Sequence, residues 1–316
     1  MPKSLGQKMG VAVNQRRSAR LIPAIVPIVA LTLGAAAFAQ PAPQPTIVTS
    51  FSILEDFARQ IAGEGADVRV LAPVGAEVHE WELVPQNFID LEEADVLFYN
   101  GYDLETWLPQ AEATLAEGAL AVAVAEETGY ETLPITLGEF EGAPDPHLWM
   151  DPRAAVRYVE VMRDALVAAD PESAATYEAN AAAYLAELEA LYEELREQLG
   201  AIPAANRLLV TSEAALLYYA AAFGFEHEGI WGSNAETEGT PEQIIRVVTL
   251  VREREPAALF WESTISDRYV QSVADETGTP VAGPLYVDSL GEAGTGAESY
   301  LELQRANAAL LVETLR

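Results

Sequence analysis

The sequence contains no cysteine. This excludes disulfide bonds and thiolate metal sites, and we expect no lipid anchor on a cysteine. Lysine is nearly absent as well, since Lys3 and Lys8 are the only two. With 49 acidic against 18 basic residues and a formal net charge of −31, the chain lacks the clustered positive charge that nucleic acids and anionic membranes attract. We therefore expect no nucleic-acid partner.

One long apolar run stands near the start of the chain, at Leu21–Phe38, behind five positive charges. It ends in a small-residue cleavage pattern at Ala37 to Ala39, so residues 1–39 are predicted to be a cleaved secretory signal. A membrane anchor is the alternative, but the run is near the lower length limit for a span. No later run is long enough, so we expect an exported, soluble monomer in the periplasm.

The rest of the chain alternates strand-like and helix-like segments, which predicts parallel sheets covered by helices. Strands are predicted at Thr46–Phe51, Val68–Ala72, Val96–Tyr99, Leu120–Val124, Leu208–Ser212, Ala258–Trp261 and Pro280–Tyr286. Helices are predicted at Leu54–Ile61, Pro85–Glu92, Glu105–Glu117, Pro152–Ala169, Ala214–Phe223, Pro241–Glu253, Asp267–Glu276 and Glu298–Leu315.

The middle of the chain has a different pattern. Pro171–Leu199 has no glycine and no internal proline, and its apolar residues recur at helical spacing. A helix of this length spans about 43 Å, with Asp170 as its expected N-cap. A coiled-coil arm is the alternative, although the apolar stripe covers few heptads. The predicted organisation is an N-terminal α/β lobe at 40–169, a linking helix at 170–200 and a C-terminal α/β lobe at 201–316.

Only three histidines occur, and two of them, His79 and His147, lie in loops that follow the second and fourth predicted strands. Glu213 and Asp288 follow strands of the second lobe. Ligands of parallel sheets bind beyond the carboxyl ends of the strands, so these four side chains could meet in a cleft between the lobes. Two imidazoles and two carboxylates suit a divalent transition-metal ion.

Each of these residues has a simpler interpretation. A single loop histidine is most often a surface or turn residue. Glu213 could be a carboxylate favoured at a helix start, and Asp288 could cap a helix or form an Asx turn. The third histidine, His227, is expected not to bind metal.

Several motifs, in order, resemble those of the zinc/manganese solute-binding proteins of ABC transporters. They are VTSFSILEDFARQIAG, VGAEVHEWE, DPHLWMDP, TSEAALLYYAAAFG, TPEQI, LFWESTISDR and YVDSL. The resemblance implies that His79, His147, Glu213 and Asp288 are the ligands, that two (β/α) lobes are joined by one rigid helix, and that an inner-membrane permease is the partner. Glutamate at the third ligand position resembles the manganese branch, so Mn²⁺ is the expected cargo, with Zn²⁺ or Fe²⁺ as alternatives.

Two departures from the family pattern are present. Val78 stands where a proline often precedes the first histidine, and the stretch Glu126–Glu141 lacks the histidines of many zinc-selective members. A zinc-specific binder is the nearest alternative function, and an adhesin or metal buffer is a second one. A metal-dependent hydrolase is remote because HExxH, GxSxG and a phosphate-binding glycine loop are all missing, so we expect no enzyme. Metal capture is expected to weaken below about pH 6, near the ordinary histidine pKa.

Overall fold

The computed structural model describes residues 44–233 and 239–316. The predicted signal at 1–39 lies outside these ranges. Within them, no helix combines the length and the apolarity needed to cross a membrane. Pro43–Arg316 makes up one compact unit, so the lobe limits at 169 and 200 stay a prediction.

The first half of the chain builds a parallel four-stranded sheet in the order β2-β1-β3-β4. Its strands are β1 (Thr46–Phe51), β2 (Asp67–Ala72), β3 (Val96–Tyr99) and β4 (Leu120–Ala123). β1 is buried along nearly its whole length because it lies between two neighbours. The helices of this half are α1 (Ser52–Ala62), α2 (Pro85–Glu92), α3 (Leu108–Glu112), α4 (Val124–Glu127) and α5 (Pro152–Ala169).

The second half contains two pairs of parallel strands, β5-β6 and β7-β8. They are β5 (Leu208–Glu213), β6 (Glu226–Trp231), β7 (Leu259–Glu262) and β8 (Val281–Leu285), and β5 lies beside β7. Its helices are α7 (Leu217–Phe223), α8 (Pro241–Arg254), α9 (Arg268–Thr277) and α10 (Tyr300–Leu315).

A single helix, α6 (Ala174–Gly200), connects the two halves. Its 27 residues correspond to about 40 Å. Its apolar stripe, which includes Tyr177, Leu188 and Leu199, is buried and packs on α1 and α5 from the first half and on α7 and α10 from the second. The predicted α/β class, the parallel sheets and the long helix between lobes are therefore confirmed.

Three predicted helices begin or end at least three residues away from their predicted bounds. α3 covers Leu108–Glu112 only, because the carboxylate of Glu105 accepts the backbone N–H groups of Asn100 and Gly101 (2.7 and 3.2 Å) and closes a turn. α7 begins later than predicted, because Ala214 still donates to the Trp231 carbonyl across the sheet (3.0 Å).

α6 begins at Ala174, and Asp170 ends α5 instead of capping α6.

The structure also contains a strand that was not predicted, β6. Its first residues, Glu226, His227 and Glu228, are polar and at least partly exposed, so the segment lacks the apolar run that identified the other strands.

Candidate metal centre

The four predicted ligands are buried and lie together at the carboxyl ends of strands. His79 follows β2, Glu213 ends β5, and Asp288 follows β8, while His147 precedes a short 3₁₀ turn before α5. Their exposed fractions are 8% for His79, 0% for His147, 4% for Glu213 and 1% for Asp288. Burial of two rings and two carboxylates in one place requires compensation.

The distances among these groups leave room for one ion. Nε2 of His147 lies 3.4 Å from Oδ1 of Asp288 and 3.8 Å from Oε1 of Glu213. Nε2 of His79 lies 3.7 Å from the same Glu213 oxygen. The two imidazole centroids are 5.5 Å apart. His79, His147 and Asp288 offer donor atoms that all lie within 4.8 Å of one another.

Several of these donor atoms have no hydrogen-bond partner although they are buried. They are both ring nitrogens of His79, Nε2 of His147 and both carboxylate oxygens of Asp288. Unpaired buried polar atoms are rare in folded proteins and require an explanation. A cation held between them would take one ring nitrogen from each histidine and the carboxylate of Asp288, so the residues present fit a divalent metal ion.

The loop that carries His79 is held by backbone contacts on both sides of the ring. Thr106 donates from its hydroxyl to the His79 carbonyl (2.6 Å), and the Trp107 indole donates to the Val78 carbonyl (2.8 Å). The His79 backbone N–H donates to the Glu77 carboxylate (3.1 Å). These bonds fix the backbone at Val78 and His79 and so restrict the position of the His79 ring.

A buried carboxylate orients the second histidine. Oδ1 of Asp145 accepts from both the backbone N–H (3.0 Å) and Nδ1 (3.1 Å) of His147. The other oxygen of Asp145 accepts from the Ser233 hydroxyl, which comes from the second half of the chain. Because Nδ1 donates to Asp145, Nε2 is the nitrogen that a metal ion in the cleft can reach, and its lone pair becomes available once any proton on it has been displaced.

Replacing Asp145 with asparagine will weaken metal binding by about 10- to 100-fold, since the amide no longer enforces this tautomer. The measurement is a calorimetric titration of the metal-free protein with Mn²⁺. Asp90→Asn is the matched control, because Asp90 is also buried but pairs with Arg69 (3.1 Å) and belongs to neither group of donor atoms. Equal dissociation constants for Asp145→Asn and the wild type would contradict this role.

The carboxylates of the second half are also positioned by the chain. The Glu213 backbone N–H donates to Oε1 of Glu262 (2.8 Å), and the Thr211 hydroxyl donates to the Glu213 carbonyl. Glu213, Glu262 and Asp288 form a second group of donor atoms within 4.8 Å of one another. Asp288 thus belongs to both groups.

The loop of Asp288 is tied to the first half of the chain. The Trp149 indole donates to the Val287 carbonyl (3.0 Å). On the other side of Asp288, the Ser289 hydroxyl accepts the Gly75 N–H (2.7 Å), and the Leu290 N–H donates to Ser52 (3.0 Å). The geometry of the cleft therefore depends on contacts between both lobes.

The electrostatics of the cleft divide the two histidines. Burial lowers the pKa of His79 to about 4. Burial also opposes the charging of His147, but the nearby carboxylates of Asp145 and Asp288 outweigh it and raise the pKa of His147 well above its ordinary value. Although burial alone would raise the pKa of Asp288, its contact with His147 lowers it. In the metal-free cleft, the charged forms of His147 and Asp288 therefore favour each other.

Burial raises the pKa of Glu213 and of Glu262 well above their ordinary values, and the negative charge of Asp288 acts in the same direction. Both glutamates therefore hold their protons in the metal-free protein more readily than a free glutamate does. A cation that binds to the ionised carboxylates has to displace these protons.

Sequence reasoning missed two acids of this region, Asp145 and Glu262. Asp145 stands two residues before His147, a spacing at which an aspartate accepts a nearby backbone N–H. Glu262 ends β7, so the strand-end rule that identified Glu213 applies to it as well. The third histidine lies elsewhere: Nε2 of His227 contacts the Thr211 hydroxyl (2.7 Å), and His227 belongs to neither group of donor atoms.

Comparison with known proteins places this site in a family. The family model described as zinc-uptake complex component A, periplasmic (ZnuA), matches residues 47–314. The chain belongs to the ZnuA family. Apart from Thr46, the matched segment contains the strands of both halves, and it includes the connecting helix and the residues of the cleft.

Individual relatives extend the comparison across the ZnuA family. The manganese-binding lipoprotein MntA of Halalkalibacterium halodurans is 42% identical over 270 residues, which cover 85% of this chain and 88% of that protein. The iron-binding protein YfeA of Yersinia pestis is 42% identical over 249 residues, which cover 78% and 79%. The Mn-bound periplasmic metal-binding protein of Candidatus Liberibacter asiaticus is 30% identical, covers 86% of this chain and 100% of its own, and superimposes with a TM-score of 0.78.

Proposed function

We propose that this protein captures a divalent transition-metal ion in the periplasm and delivers it to the permease of an ABC transporter. The observation that carries the proposal is the meeting of His79, His147, Glu213 and Asp288 in one buried cleft with unpaired donor atoms on three of them. Two neutral imidazoles and two carboxylates balance the charge of a divalent cation. The protein then acts as a monomeric carrier, and no catalytic step is involved.

The preferred cargo in this proposal is Mn²⁺. Two carboxylates that each bind through two oxygens, together with two imidazole nitrogens, give six donors, and Mn²⁺ accepts six ligands whereas Zn²⁺ prefers four. The names of the relatives from H. halodurans and Y. pestis, which refer to manganese and iron, support a hard or borderline ion. Zn²⁺ remains the main alternative because most N/O sites bind it more tightly than Mn²⁺.

In this proposal the processed protein is located in the periplasm. Residues 1–39 have the composition of a secretory signal, and the family is described as periplasmic. The relative from H. halodurans is a lipoprotein, whereas this sequence has no cysteine that could carry a lipid. We therefore propose that the processed chain moves freely in the periplasm.

Metal-free protein will bind both Mn²⁺ and Zn²⁺ in a calorimetric titration, whereas protein purified from its native periplasm will carry manganese. Affinity in vitro follows the Irving–Williams order, in which Zn²⁺ binds more tightly than Mn²⁺. The ion that the protein carries in the cell also reflects the availability of each metal and its delivery to the transporter. Elemental analysis of the native protein measures the cargo. Native protein that carries zinc alone would make the zinc-specific alternative correct, and protein that binds neither ion would contradict the proposed function as a whole.

A further inference from the structure

The acidic side of the cleft contains one carboxylate more than the four predicted ligands account for. Glu262 ends β7 and is 0% exposed. Its donor atoms lie within 4.8 Å of those of Glu213 and Asp288. One side of the cleft is therefore formed by two imidazoles and Asp288. The other side is formed only by carboxylates, and Asp288 belongs to both sides.

The two oxygens of Glu262 have different surroundings. Oε1 accepts the Glu213 backbone N–H (2.8 Å), so the orientation of the planar carboxylate is restricted. Oε2 is fully buried and has no hydrogen-bond partner. An unpaired buried carboxylate oxygen is costly, and a cation beside it would remove that cost.

The backbone around Glu262 keeps this geometry in place. The Ile265 N–H donates to the Glu262 carbonyl (3.0 Å), and the next residue, Ser263, donates from its N–H to the Leu285 carbonyl of β8 (2.9 Å). Glu262 is thus held between the strand that carries Glu213 and the strand that leads to Asp288. It is the residue that joins the two carboxylate ligands of the second half.

We propose that Glu262 is a specificity-determining residue of the metal centre, whose unpaired oxygen is an additional hard donor that favours Mn²⁺ over Zn²⁺. This inference rests on the proposed function. A third carboxylate within reach raises the number of oxygen donors on offer beyond what a four-coordinate Zn²⁺ uses, while Mn²⁺ accepts six ligands and suits carboxylate oxygen. Because Oε1 also holds the Glu213 backbone, the same side chain both orients one ligand and contributes another.

The variant Glu262→Gln tests this directly. Glutamine keeps the size of the side chain and an oxygen that accepts the Glu213 N–H. It removes the charge and replaces the other oxygen by an NH2 group, which cannot bind a metal ion as a carboxylate oxygen does. We expect the dissociation constant for Mn²⁺ to rise by about tenfold or more, the scale at which groups around a metal tune its binding, and that for Zn²⁺ to change by less than about threefold. Calorimetry with each metal alone gives both values.

The matched control is Asp56→Asn. Asp56 also accepts a backbone N–H with a largely buried carboxylate, that of Tyr300 (2.8 Å), and it belongs to neither group of donor atoms. We expect its ratio of Zn²⁺ to Mn²⁺ dissociation constants to equal that of the wild type. The electron paramagnetic resonance spectrum of bound Mn²⁺ should change in Glu262→Gln and stay unchanged in the control.

The outcomes separate the inference from the proposed function. If Glu262→Gln weakens both ions equally, or neither, Glu262 has only a structural role and the inference is wrong. If the wild type binds neither ion, the proposed function itself fails. Circular dichroism of the metal-free variant checks its folding. If Glu262→Gln does not fold, Glu262→Asp replaces it, because the shorter side chain withdraws the oxygen but keeps the charge. We expect this variant to show the same loss of Mn²⁺ preference. An unchanged preference would overturn the inference.

Discussion

Replacing Asp288 with alanine will abolish tight metal binding and raise the dissociation constant for Mn²⁺ by about a thousandfold or more. Changes to groups that only orient a ligand cost about 10- to 100-fold, and the loss of a charged ligand exceeds that. Asp288 is the strongest choice because it belongs to both groups of donor atoms. Its removal also leaves His147 without the carboxylate 3.4 Å from its Nε2. Calorimetric titration of the metal-free variant with Mn²⁺ measures the effect.

The control for this experiment is His227→Ala. His227 is a histidine of the same lobe, but its ring contacts Thr211 and belongs to neither group of donor atoms, so we expect the dissociation constant of this variant to stay within about threefold of the wild type. Circular dichroism shows whether Asp288→Ala keeps its fold. The assignment of ligands is wrong if Asp288→Ala binds Mn²⁺ normally while His227→Ala loses binding.

Metal affinity will fall steeply as the pH is lowered from about 7.5 to about 5.5, by roughly tenfold per pH unit for each proton that the metal displaces. The sign follows from the raised pKa values of His147 and Glu213. Both groups hold their protons more tightly in the metal-free cleft than free side chains do, and protons and metal compete for the same atoms. His79, with its pKa lowered to about 4, contributes little to this competition above pH 5. The two histidines therefore titrate at different pH values, whereas the ordinary histidine pKa alone would place both near the same pH.

Titrations with Mn²⁺ at three pH values, each in two buffers of different ionisation enthalpy, give both the affinity and the number of protons released. Asp145→Asn provides a useful comparison, because loss of that carboxylate removes one cause of the raised pKa of His147. Its affinity should depend less on pH than that of the wild type. A wild-type affinity that is constant over the whole range would argue against histidine ligation.

The fold and the main residues of the cleft follow from simple features of the sequence. His79 and His147 could be selected because histidines are so few. Glu213 and Asp288 stand at the ends of predicted strands, but the motifs of the resembling family were needed to choose them from many carboxylates. The connecting helix was visible as a long stretch without glycine or internal proline.

The remaining features depend on distant contacts that spacing does not encode. Asp145 and Glu262 are two among 49 acidic residues, and only the packing of the lobes shows that they lie beside the ligands. β6 was missed because its polar half, including His227, is stabilised by pairing with β5. The difference between the two histidines has the same origin, since it arises from carboxylates that approach His147 from both halves of the chain.

One aromatic contact in the cleft gives the protein an internal reporter. The indole ring of Trp149 is fully buried, lies 5.1 Å from the His147 ring and donates to the carbonyl that precedes Asp288. Any change in the charge of that imidazole alters the electric field at the neighbouring indole. Metal binding is thereby coupled to the intrinsic fluorescence of Trp149. Uptake and release of the ion can therefore be followed in unlabelled protein, in real time and at low concentration.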